Sequence, residues 1–315
     1  IEESDLIILI GTNPRYEATI LNARIRKSYL KNKTDIYSFG DIGDITFPYN
    51  VLENNTQIIR DIVQNKNKLS DKIKNAKKPI IIIGQSTLKL RSGKFIFEEF
   101  KKFLISNNKI NDEWNSLNVL PIHSSTVGSY DLDILNSNDE NYSIIKKIKN
   151  NEFDILFLFG QDNLNFKKKN EFIIYIGSHG DKGAEMADVI LPGATYIEQD
   201  GYFANLEGKI QKAYKASYPP GEAKEDWKIT NDLSALLKKK KLYGNKAELI
   251  DSMMNYIKLK KENKEIKISN AEFFSEKITV DPFDYYYSNV IARSSNTMSK
   301  CRSEKIKIKP TGTDG

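Results

Sequence analysis

One cysteine, Cys301, and two histidines, His123 and His179, are all that 315 residues offer to soft metals. A lone thiol closes no internal disulfide and falls short of the roughly four thiolates of an iron-sulfur cluster, while two imidazoles leave a structural zinc site without enough ligands. Arginine is scarce as well, at 7 residues against 41 lysines, and the net charge is only +6. A nucleic-acid surface normally gathers guanidinium groups and aromatics into a basic stripe, whereas these lysines are interleaved with acids. No apolar run approaches the ~18 residues of a bilayer crossing. Redox chemistry on the chain's own ligands, nucleic-acid binding and a membrane span are therefore excluded as readings.

What is present suffices for a core. Hydrophobic residues make up 39% and aromatics 10%, enough for one large or two ordinary domains. The excess of Ile, Lys, Asn and Tyr follows AT-rich codons and is read first as genome drift. With Ile1 in place of Met, a first strand beginning at Leu6 and no Arg-rich presequence, the chain is expected to be a piece of something longer.

Four short apolar runs end in glycine: Leu6–Ile10 before Gly11, Ile80–Ile83 before Gly84, Ile155–Phe159 before Gly160 and Phe172–Ile176 before Gly177. Runs of this length, apolar on both faces, are the pattern of buried parallel strands. Helical spacing appears at Thr19–Leu30, through Ile20, Ala23 and Lys27, and at Phe95–Ile105, through Phe95, Phe97, Phe100, Phe103 and Leu104. Strand and helix alternate, which predicts open α/β layers. Lys77-Lys78-Pro79 reads as a lobe boundary, giving lobes 1–77 and 78–245. Residues 201–228 read as an irregular capping stretch, followed by a helix over Glu225–Leu237 that packs through Trp227, Leu233 and Leu236. There is no internal repeat. From 246 to 315 the apolar residues form islands (Met253, Met254, Tyr256, Ile257; Phe273, Phe274; Phe283, Tyr285–Tyr287; Ile306, Ile308), too small for a core of their own. This tail is expected to run along the body and onto partners, with Tyr285–Tyr287 as its anchor.

Candidate chemistry sits in two places. Gly11-Thr12-Asn13-Pro14-Arg15-Tyr16-Glu17 opens a helix with Asn13 as cap and Pro14 in the first turn, a geometry that suits a phosphate or simply a strand-to-helix turn. It has neither Gly-x-Gly-x-x-Gly nor Gly-Lys-Ser/Thr, so the structural reading is preferred. The second is His179 to Gly193, followed by Tyr196, Glu198, Gly201, Asn205, Glu207, Gly208 and Gln211. Here His179 beside Asp181 reads as a surface imidazole, Ala187–Pro192 as a strand stopped by proline, and Glu198 and Glu207 as solvated carboxylates rather than an acid/base pair. Cys301, between Lys300 and Arg302, reads as a bystander or buried thiol. No residue is assigned a catalytic, cofactor-binding or metal role.

These blocks also carry a resemblance. Ile10–Ala18 with Leu21–Lys27, Ile173–Ala184, Ala187–Ala194, Asn205–Gly208, Pro219–Ile229 and Ala292–Cys301 closely resemble, in order, the C-terminal region of the large iron-sulfur subunit of mitochondrial respiratory complex I. The parent superfamily is that of the molybdopterin-dependent oxidoreductases. The resemblance implies an α/β fold of open parallel-sheet lobes of the molybdopterin oxidoreductase type with an extended C-terminal tail. In active members it implies a Gly-x-Asn-Pro turn against a pterin-guanine dinucleotide and an acidic residue after the next strand holding the guanine. In this sequence that strand is Ile36–Gly40 and the acid, Asp41, is displaced past a glycine. The complex I relatives imply a retained fold without the cofactor, a scaffolding role in the matrix arm at the mitochondrial inner membrane, iron-sulfur clusters in the N-terminal part of the subunit, and that part and other matrix-arm subunits as partners. The alternative is the latter part of an active molybdopterin-dependent oxidoreductase.

Overall fold

A computed structural model describes residues 1–134, 144–161, 166–262, 271–282 and 284–307, and the chain divides into two compact units. The first takes Ile1–His123 and the later stretch that includes residues 271–282; the second takes the chain from Ser124 onward and residues 284–307.

The first unit contains β1 (Leu6–Ile10), α1 (Pro14–Glu17), α2 (Thr19–Asn32), β2 (Asp35–Phe39), β3 (Asn50–Leu52), α3 (Thr56–Val63), α4 (Lys68–Asn75), β4 (Pro79–Gly84), α5 (Gln85–Leu88), α6 (Gly93–Ser106) and β5 (Leu117–Leu120). Its five strands run in the order β3-β2-β1-β4-β5, every neighbouring pair parallel. Every residue of β1 and β4 is buried, because helices cover both faces. Leu6, Ile8 and Ile10 face Ile59, Ile62, Leu69, Ile73, Phe100 and Leu104, from α3, α4 and α6. Ile7 and Leu9 face the opposite layer, with Ile25 of α2 and the loop residues Ile42, Ile45 and Phe47. Each such side chain contributes about 1.5–3 kcal/mol over leaving it in water. Together they fix the register.

The lobe boundary expected at 77/78 falls inside this sheet. An all-apolar strand such as β4 must be flanked on both edges and both faces, and it pairs with β1, so Lys77 and Lys78 form a helix-to-strand turn. Their amides donate to the Asp5 carboxylate at 2.6 and 2.9 Å.

In the second unit come α7 (Thr126–Asp131), α8 (Ile144–Lys149), β6 (Ile155–Phe159), β7 (Phe172–Gly177), α9 (Lys182–Glu185), β8 (Val189–Pro192), β9 (Gly201–Ala204), β10 (Ile210–Ala213), α10 (Asp226–Lys238) and α11 (Lys246–Glu262). A 3-10 turn at Tyr285–Tyr287, α12 (Val290–Ser294) and α13 (Asn296–Lys307) complete it. Strands β6-β7-β8 form a parallel sheet, and β9-β10 an antiparallel hairpin within the stretch read from sequence as irregular. Leu156, Leu158, Ile173 and Tyr175 pack with Ile148 on one face. The other face differs from expectation, since Ile155, Phe157, Phe159 and Phe172 are exposed there.

The tail is neither one piece nor wholly extended. Alpha helices α11 to α13 belong to the second unit, whereas 271–282 is an extended strap on the first. Its Ile278 enters the core beside α3 and Val280 packs on the opposite layer. Of the expected anchor cluster Tyr285–Tyr287, Tyr285 is exposed and meets Tyr286 edge to face, while Tyr286 and Tyr287 are half-buried. Phe283 and Ile308 lie outside the described residues. Among the described residues no helix is long and apolar enough to cross a membrane.

Candidate functional site

Open parallel sheets bind ligands at the carboxyl ends of their strands, so each sheet has one edge to inspect. At the first, β1 ends in Gly11, whose φ of +58° suits glycine. Asn13 caps α1 by accepting from the Arg15 amide at 2.9 Å, and Pro14 occupies the first turn, as the sequence predicts. The Asn13 side chain also donates to the Ile42 carbonyl at 2.6 Å, tying the turn to the loop after β2.

The Thr12 hydroxyl and the Asn13 and Arg15 amides at this turn are already taken. Glu17 reaches back so that one carboxylate oxygen accepts from the Asn13 amide at 3.0 Å and the other from the Thr12 hydroxyl at 2.8 Å. Burial raises the Glu17 pKa, the two hydrogen bonds oppose that rise, and nearby Asp281 adds to it. A phosphate placed here would meet a carboxylate instead of free N–H groups. Asp41 is equally committed: it accepts from the Gly43 amide at 2.8 Å and the Tyr49 hydroxyl at 2.7 Å, which hold its pKa down. It closes a turn.

The strap 271–282 lies along the same edge; that the tail runs along the body was expected from sequence, but not which edge it covers. Thr56 and Ser92 clamp its backbone: Ser92 Oγ donates to the Phe274 carbonyl and accepts from the Phe274 amide, at 2.6 and 2.7 Å, while Thr56 Oγ1 accepts from the Glu276 amide at 2.9 Å. Ile278 donates its amide to the Asn54 carbonyl at 2.7 Å. Asp281 receives Lys89 at 2.7 Å and gives its amide to Ser86 Oγ at 3.0 Å. A Cβ added to Gly11 would lie 3.3 Å from the Thr279 carbonyl. The residues present do not fit a pterin-guanine dinucleotide at this turn. The sequence signals were the Phe273–Phe274 island, which pointed to docking, and the alternation of Ile278 and Val280, too short to separate from a loop.

At the second edge the structure joins two blocks that stand far apart in sequence. Asp181 caps α9 through the Lys182 amide at 2.8 Å and accepts from Arg293 Nε at 2.9 Å; these contacts, the backbone one foremost, lower its pKa. His179 is half-buried, its Nδ1 2.9 Å from Ser178 Oγ and its carbonyl accepting from the Tyr175 hydroxyl at 3.0 Å. Glu198 accepts from the Thr195 amide at 2.9 Å, whereas Glu207 sits in the β9–β10 turn, where Asn205 Oδ1 accepts the amides of Glu207 and Lys209. Both serve turns. Gln211 lies on β10 and Tyr196 is exposed. Cys301 is exposed on α13, so the bystander reading stands and the buried one does not. Among the described residues no three His, Cys, Asp or Glu side chains gather as a metal site.

Two carboxyls here were not singled out from sequence. Glu225 is almost fully buried; burial pushes its pKa up, yet Lys246 at 2.6 Å and Trp227 Nε1 at 2.9 Å outweigh that and hold it down. Asp226 next to it is pushed up by burial, partly offset by Gln199. It lines a cavity of about 420 Å³ with Ile176, Thr195, Tyr196, Phe203 and Val290, and the buried Thr195 hydroxyl has no hydrogen-bond partner among the described residues.

The fold is that of an α/β protein with open parallel sheets, and the chain belongs to the molybdopterin oxidoreductase family, whose model matches residues 1–236. A second family model, describing the C-terminal region of an NADH-ubiquinone oxidoreductase subunit, matches residues 254–301. The chain is 38% identical to the NADH-ubiquinone oxidoreductase 75 kDa subunit of Reclinomonas americana, over 96% of this chain and 45% of that protein. It is 34% identical to the mitochondrial 78 kDa subunit of the same enzyme from Candida albicans, over 98% and 45%, and 32% identical to that from Neurospora crassa, over 97% and 42%. The chain thus spans less than half the length of these relatives.

Proposed function

We propose that this chain is a non-catalytic structural domain of the large iron-sulfur subunit of respiratory complex I, in the matrix arm on the matrix side of the mitochondrial inner membrane. Electrons passing from NADH to ubiquinone would use iron-sulfur clusters held by the N-terminal part of the family's subunit. This chain holds no cofactor of its own and supports that part and neighbouring matrix-arm subunits. The observation that carries the reading is the Glu17 carboxylate seated on the Thr12 hydroxyl and the Asn13 amide, a position that an anionic cofactor would need. Similarity to complex I subunits over nearly the whole chain supports the rest.

The test is to tag the chain in its own cells, isolate it under mild detergent and assay NADH:ubiquinone activity together with metal and pterin content. Co-purification with the activity, without stoichiometric molybdenum, tungsten or guanine dinucleotide on this chain, is the expected result. Stoichiometric dinucleotide would favour the active molybdopterin oxidoreductase. Substituting His179 or Glu207 should change assembly or stability and leave turnover per assembled complex unaltered.

A further inference from the structure

Soluble surfaces expose scattered tyrosines, but the second unit brings several to one place. Tyr196 is 64% exposed, Ile197 42%, Tyr214 74% and Tyr218 77%. The amides of Ala216 and Ser217 donate to the Ile197 carbonyl at 2.7 and 3.1 Å, and that of Lys215 to Asp200 at 2.9 Å, so 196–200 and 214–218 run side by side. Lys212 Nζ stands 4.4 Å from the Tyr214 ring centroid and Lys215 Nζ 4.3 Å from that of Tyr218. Among the described residues neither lysine closes an ion pair. Both charges lie over rings and, after the hydrogen bond from the Lys215 amide, also help to hold down the pKa of Asp200, and both lysines are exposed.

Beside this patch, and sharing Tyr196 with it, opens the cavity of about 420 Å³ that also contains Phe203, Asp226 and the Thr195 hydroxyl, which has no partner among the described residues. Exposed aromatics rimmed by charge and set next to a socket are the anatomy of a protein-binding hot spot. We propose that Tyr196, Ile197, Tyr214 and Tyr218 dock an acidic segment of another polypeptide, its carboxylates on Lys212 and Lys215 and one polar-tipped aromatic side chain in the cavity. Nucleic acid suits the site less well, since residues 196–224 contain no arginine to grip phosphates or bases. An aromatic with a hydroxyl or indole N–H would satisfy Thr195 and Asp226 while its ring meets Ile176 and Phe203.

The proposal rests on the subunit reading above. Its test places the photo-crosslinker benzoylphenylalanine at 214 or 218 of the full chain in cells, and separately makes Lys212→Glu with Lys215→Glu. Both lysines are exposed, so thermal melting of the charge-reversed chain should match the parent. The expected result is crosslinking to an acid-rich peptide of one partner subunit, with recovery of the reversed chain in the complex falling about tenfold, as loss of ~1.4 kcal/mol would give. A chain that enters the complex with no protein crosslink, or with RNA or lipid as the crosslinked species, and with unchanged recovery after reversal, overturns this surface and leaves the subunit reading intact. A chain absent from the complex overturns both.

Discussion

At Gly11, left-handed backbone and close packing coincide. A Cβ there would lie 2.1 Å from Thr87 Oγ1, so Gly11→Val should cost about 1–3 kcal/mol by strain and overpacking. Chemical denaturation measures this, and an unchanged midpoint would show the turn to be softer than its geometry. Glu17 makes a second prediction, with a definite sign. Its folded pKa is raised above the ordinary 4.5, so its contribution is fully present below about 4.5 and is lost as pH rises through the folded value. Glu17→Gln should remove that dependence, and the stability of the parent relative to the variant should fall between pH 4.5 and neutrality. Paired urea titrations across that range decide it; a flat difference would mean that Glu17 is solvated.

Among elements, the strap shows how far tertiary packing overrides local reading. Ile278 is buried in the first unit's core, so Ile278→Ala should cost about 2–5 kcal/mol, a core-sized loss from a segment without regular structure. The Glu276 carboxylate accepts from the Ser92 amide at 2.9 Å, just before α6, and Glu276→Ala should cost about 1 kcal/mol, the usual worth of a helix cap. Hydrogen exchange at the start of α6 should then quicken while the centre of β1 stays protected. Helix α2 is a related case. Its sequence pattern favoured Ile20 and Ala23, yet the buried face carries Asn22, Ile25 and Ser28, and Ile20 is 76% exposed. Burial of the polar pair is offset in part because Asn22 Nδ2 donates to the Ile45 carbonyl at 3.0 Å and Ser28 Oγ lies 2.7 Å from Thr34 Oγ1, although Asn22 Oδ1 has no partner among the described residues. Similarly in α10, Asn231 is buried and accepts the amides of Leu242 and Tyr243, leaving Leu236 and Leu237 outside.

For the whole molecule, the telling feature is the open face of the β6-β7-β8 sheet. Parallel sheets are seldom left uncovered, and Ile155, Phe157, Phe159 and Phe172 form an apolar surface of the kind that associates when left in water. The isolated chain should therefore self-associate. Phe157→Lys should shift sedimentation toward monomer and change stability by less than about 0.5 kcal/mol, as for a surface site. A folded variant that associates as strongly as the parent would place the sticky surface elsewhere.

The four glycine-ended strands were legible in the sequence because short apolar runs rich in β-branched or aromatic residues have few other uses, and β1 and β6 match the predicted limits to the residue. Alpha helices α2 and α6 were legible too, from their spacing. Short strands β3 and β5 were not, since three or four mixed residues become a strand only when a sheet edge offers hydrogen bonds. Composition by itself argued against cluster and zinc chemistry as readings, because ligands that are absent cannot be supplied by folding, whereas the scaffold reading came from the resemblance of the motif blocks. What only the tertiary structure decided is which groups meet: Glu17 on its own helix start, Arg293 on Asp181, and a strap from 271–282 across the edge of a sheet that begins at residue 6. Such meetings depend on backbone geometry and on contacts between residues that lie up to some two hundred positions apart, and neither leaves a periodic trace along the chain.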